Sequence, residues 1–113
     1  MATGRLGVAA ITTTSDTTVY TVPASTFSVV SVNIVNRSSS ASAQIRIAVA
    51  SAATPAANGS EYIEYDSALV ANGVLERTGI VMDATLGKYL VVSTPTATPS
   101  LSVVVYGIET STA

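Results

Sequence analysis

The sequence predicts an all-β protein: a single antiparallel β-sandwich, jelly-roll or Ig-like, with seven to eight strands. Three observations predict it. Short runs rich in Val, Ile, Thr and Ser alternate apolar and polar residues at period two. Pro, Gly and Asn punctuate those runs at regular intervals. No stretch repeats apolar residues at helical spacing over a helix length. A chain of 113 residues fits one domain with one modest core. No internal repeat is visible.

The elements follow in order. Residues 1–10 hold few apolar side chains and read as an N-terminal arm ahead of a domain spanning 11–113; Arg5 and Leu6 form its one anchoring pair. Residues 17–22 are β-branched and stop at Pro23, which removes a ladder donor. In 27–36, Val30, Val32 and Ile34 share one face. Phe27 and Val29 fall on the opposite parity, which predicts a bulge or sheet switch near Val29 and Val30. Residues 43–50 alternate cleanly, with Ile45, Ile47 and Val49 on one face and Gln44, Arg46 and Ala48 on the other. Pro55 and Gly59 make 51–59 a loop. A strand over 61–66 gives Tyr62 and Tyr65 opposite parity, so one of them faces outward and is the candidate interface anchor. Asn72 and Gly73 mark a tight turn, and Gly79 is expected to interrupt the strand that follows. A strand over 88–94 ends at Pro95. The last strand, 101–108, is apolar on both faces: Leu101, Val103 and Val105 on one, Val104, Tyr106 and Ile108 on the other. A strand of that kind is buried on both sides, so Val104 and Tyr106 are candidates for a second packing surface.

Composition narrows the function classes. The chain is 48% hydrophobic but only 11% charged, well below the ~25% usual for soluble domains. Sparsely charged faces suit burial against neighbouring protein. Arg5, Arg37, Arg46, Arg77 and Lys88 are scattered and net charge is −2, so the concentrated positive footprint of a nucleic-acid binder is missing. No apolar run approaches the ~20 residues of a membrane helix. The first ten residues make a poor signal peptide, and the chain is expected to act without classical secretion.

Catalytic and metal chemistry finds little footing. There is no histidine and no cysteine, so an ordinary nucleophile triad, a zinc site and thiol chemistry have no residues to use. The carboxylates Glu64 and Asp66 are expected to face solvent or pair with Arg46 and Arg77. No Asp-rich loop has calcium-hand spacing. The reading is therefore non-enzymatic, with no cofactor.

Four segments carry a resemblance: Val19-Tyr20-Thr21-Val22-Pro23, Val32-Asn33-Ile34-Val35-Asn36-Arg37, Glu61-Tyr62-Ile63-Glu64-Tyr65-Asp66 and Ala71-Asn72-Gly73-Val74-Leu75-Glu76-Arg77-Thr78-Gly79. Together the chain resembles small structural proteins of tailed bacteriophages, cyanophages among them. The resemblance implies a β-sandwich present in many copies in the virion and assembled in the host cytoplasm. Its expected partners are the major capsid protein or other virion proteins. A capsid decoration (cement) protein, homotrimeric and bridging capsid subunits, is the first expectation. A tail, neck, baseplate or fibre-attachment component is the alternative, and a carbohydrate-binding host-attachment module is a third.

Overall fold

The computed structural model describes residues 2–112. Its strands are β1 (Thr3–Ile11), β2 (Thr17–Thr21), β3 (Thr26–Asn36), β4 (Ala43–Ala50), β5 (Tyr62–Leu69), β6 (Val74–Met82), β7 (Tyr89–Ser93) and β8 (Leu101–Ser111). They form two four-stranded sheets, ordered β1-β8-β3-β6 and β2-β7-β4-β5. The pairs β1·β8, β2·β7, β3·β6 and β4·β5 are all antiparallel. This is one long antiparallel ribbon, its outermost strands paired with each other and its innermost pair closed by the 51–61 connection, wrapped into two layers. That wrapping is the jelly roll, and it selects between the two sandwich types that the strand pattern allows.

The core lies between the sheets. From the first sheet come Val30, Val32, Ile34, Val103 and Val105, all essentially inaccessible; from the second come Ile45, Ile47, Leu90 and Val92. Alternation along β3 and β4 places these residues inward, as the period-two pattern requires. Asn36, at the end of β3, is buried with its amide fully used. Its Nδ2 donates to the carbonyl of Ala41 at 2.9 Å and to those of Leu69 and Val70 at 3.2 and 3.3 Å, and its Oδ1 accepts from the Ser38 N–H at 3.1 Å. One side chain thereby ties the β3–β4 turn to the end of β5.

Four features differ from the sequence expectation or refine it. Residues 3–10 lie in β1, the edge strand of the first sheet, paired with β8 from Thr3↔Ile108 to Ile11↔Leu101; Met1 lies outside the described residues. The expected arm is thus largely a strand of the chain's own sandwich. Gly7 allows this: a Cβ there would stand 2.1 Å from the Val19 carbonyl oxygen of β2, so only glycine lets the two layers meet at this corner. Second, β3 is regular throughout. Phe27 and Val29 point outward, and Thr26 and Ser28 point into the core. Third, the interruption expected at Gly79 is a bulge within one continuous strand. Gly79 sits at φ +69° in that bulge of β6 opposite Val30–Val32, and pairing resumes on either side. Fourth, Tyr62 and Tyr65 share a face, for the reason given below.

All the extra residues lie in edge strands. Leu6 is extra in β1 and Val19 in β2; β5 is irregular around Ile63 and again around Tyr65–Asp66, and β6 around Thr78–Gly79. The interior pairs β3·β8 and β4·β7 run without a shift. Bulged edges present a broken hydrogen-bonding row and resist strand addition by another chain.

Candidate interaction surfaces

With the edges disrupted, the broad faces are left for contact, and the candidates from sequence divide between them. Arg5, Val104 and Tyr106 come together on the outer face of the first sheet. Arg5 is opposite Tyr106, and Val104 lies between Val8 and Asn33. Leu6, the bulge residue, packs against the core instead. Tyr62 and Tyr65 lie on the second sheet.

The first sheet's outer face forms cross-strand rows. One row runs Thr3, Ile108, Val29, Val81 across β1, β8, β3 and β6. Its three apolar members are 56%, 42% and 69% exposed, and Phe27 adjoins them on β3. The next rows are Arg5, Tyr106, Ser31 and then Val8, Val104, Asn33, Glu76. The Tyr106 hydroxyl donates to Glu76 Oε2, so the ring lies across β3. That carboxylate holds the phenol proton and pushes the Tyr106 pKa up. Large aliphatic side chains aligned in register, with no layer above them, form the kind of patch that marks a contact site. The sequence signal was the doubly apolar β8. Val81 was missed because its outward direction depends on the bulge at Thr78–Gly79, and Val29 because the inward Ser28 beside it makes a regular β3 look bulged.

The second site is built on β5. From Ile45 to Ile47 the partner strand advances two residues, while β5 covers Ser67 to Glu64; from Ile47 to Ala48 it covers Glu64 to Tyr62. Each shift inserts one residue in β5, with Asp66 at φ +55°, and the two shifts undo the simple parity of the strand. Tyr62 and Tyr65 therefore meet edge to face, ring centroids 5.0 Å apart. The Arg46 guanidinium lies 4.4 Å from the Tyr65 ring centroid and is fixed by Asp66, with Nε donating to Oδ1 at 2.6 Å. Asp66 is the chief cause that raises the Arg46 pKa. Burial pushes the Tyr62 hydroxyl up as well. Tyr65 remains 58% exposed. The expected ion pairs form: Arg46 with Asp66, and Arg77 Nη1 with Glu64 Oε2 at 3.3 Å.

Beside Tyr62 and Tyr65 runs an open groove of about 440 Å³, walled by Pro55, Asn58 and Gly59. Glu61 holds that wall. Its carboxylate accepts from the N–H groups of Ala56 at 2.8 Å and Ser51 at 3.1 Å, and these bonds lower its pKa. Among the described residues no group of three or more acidic, His or Cys side chains is arranged to hold a metal ion. The buried Tyr20 hydroxyl donates to Glu109 Oε2 at 2.7 Å; burial, reinforced by that carboxylate, pushes its pKa up to about 12. It is a neutral structural donor at ordinary pH.

No protein-family model matches the chain, and no curated protein matches it. Among solved structures it is similar to a chain of the cyanophage Pam1 capsid asymmetric unit, at 18% identity and a TM-score of 0.43 over 93% of this chain and 83% of that one.

Proposed function

We propose that this chain is a non-enzymatic structural protein of a tailed-phage virion, a head decoration subunit that bridges major capsid subunits. The observation that carries the reading is the braced tyrosine on the second sheet. Tyr65 is exposed yet held by the Arg46 guanidinium and the Tyr62 ring. A pre-ordered aromatic loses little conformational freedom when it docks, which is what an interface anchor needs. The scarcity of charge and the phage-like segments Glu61–Asp66 and Ala71–Gly79 support the same reading. The mechanism is multivalent: each contact is weak, and many per shell resist rupture.

Purified protein is expected to bind expanded heads that lack it and to raise their rupture temperature. Binding to tails with none to heads removes the decoration assignment in favour of a tail or neck role, as does a copy number set by tail symmetry. A second reading has one observation of its own: the groove beside the two tyrosines is open and partly aromatic, as a sugar-stacking site would be. A glycan array answers it, and the decoration reading expects no hits.

A further inference from the structure

We propose that the outer face of the first sheet is a self-association surface. Two copies pack this face together about a two-fold axis running along the strands, and Arg5 of each copy pairs with Glu76 of the other. The inference does not depend on the virion reading.

Three features of the face lead to a second copy. The face carries two charged side chains of opposite sign, placed on opposite edge strands: Arg5 on β1 and Glu76 on β6. Arg5 forms no ion pair among the described residues. A two-fold axis along the strands lays β1 over the second copy's β6 and β8 over its β3. Arg5 then lies one same-face step, roughly 7 Å along the strand, from the second copy's Glu76. An extended arginine covers that offset across the ~10 Å between stacked sheets. An axis across the strands would instead stack β1 on β1 and β6 on β6, separating the opposite charges, so the charges select the first arrangement.

The apolar row is self-complementary under the same axis. Ile108 comes over the second copy's Val29, Val29 over its Ile108, and Val81 over its Thr3. Size is the third feature. Four strands at ~4.8 Å spacing and about nine residues of strand give a face near 600 Å², or roughly 1,200 Å² for the pair. That is the lower end of specific interfaces and implies a reversible dimer. The dimer leaves both second-sheet faces outward, one Tyr65 on each, so the pair is bivalent. It replaces the trimer that the resemblance implies.

The test is sedimentation equilibrium of the full chain over a concentration series, with charge-swap mixing. The wild type is expected as a dimer that dissociates on dilution. Arg5→Glu alone and Glu76→Arg alone each place two like-charged pairs at the interface and are expected to dimerise at least about tenfold more weakly. An equimolar mixture of the two variants restores dimers, because both cross-pairs are then of opposite sign. Val81→Lys, at an exposed position away from the core, is expected to be monomeric, and it keeps the test informative if a charge variant folds poorly. A wild type that stays monomeric throughout the series, a trimer, or a mixture no more associated than its components overturns the proposal.

Discussion

Gly7→Ala tests whether the first ten residues belong to the sandwich. The added Cβ would lie 2.1 Å from the carbonyl oxygen of Val19 and 3.2 Å from its carbonyl carbon. Both are backbone atoms, so no side-chain rotation relieves the overlap. One of the strands must move by roughly an ångström, and overpacking of that kind costs about 2–3 kcal/mol. For 113 residues the unfolding entropy is about 0.24 kcal/mol/K, so the melting temperature should fall by about 8–12 °C. Ala10→Ser, at an exposed position of the same strand, serves as control and is expected to change stability by under about 0.5 kcal/mol. The assay is thermal unfolding followed by circular dichroism. A Gly7→Ala protein melting with the wild type would mean that β1 is not seated on β2, and the reading of 1–10 as a free arm would return.

Two further predictions concern stability. Asn36→Ala strips partners from the Ala41, Leu69 and Val70 carbonyls and the Ser38 N–H, and should cost about 2–3 kcal/mol in urea titration; a loss under about 0.5 kcal/mol would show that the turn holds without it. Asp83 accepts from the Thr85 hydroxyl and the N–H groups of Gly87 and Leu86, which lower its pKa from 3.8 to about 2. Its folded-state pKa is depressed, so its contribution is present above pH 3.8 and is lost as pH falls toward 2. Melting temperature should drop across that window, and less steeply in Asp83→Asn; parallel curves would remove Asp83 from the acid limb.

The strands with one strong buried face were legible in the sequence. Ile45, Ile47 and Val49 define β4 to the residue, and Leu101, Val103 and Val105 define the inner face of β8. β1 was not legible because Gly7 and Ala9 among its inward positions are small, and its two larger core contacts, Leu6 and Ile11, fall on opposite parities on account of the bulge at Leu6, so no period-two pattern shows. Gly7 is small because β2 approaches closely there, and that approach is a tertiary fact. Ser28 misled in the other direction: a serine inside the core, flanked by outward Phe27 and Val29, makes a regular strand look bulged. In β6, the interruption at Gly79 was visible in the sequence, but that it is a bulge paired on both sides depends on β3. The surfaces were half legible. Tyr62, Tyr65, Val104 and Tyr106 were visible as candidates, whereas the meeting of the two tyrosines depends on two shifts in β5.

The proposed role is that this chain holds surfaces together, with Tyr65 as an anchor. It is tested most directly by adding wild-type protein and Tyr65→Ala, each shown to melt cooperatively, to expanded heads and recording the temperature at which the heads release their DNA. Wild type should raise that temperature and Tyr65→Ala should raise it far less. Equal protection by both proteins, or none by either, would contradict that role.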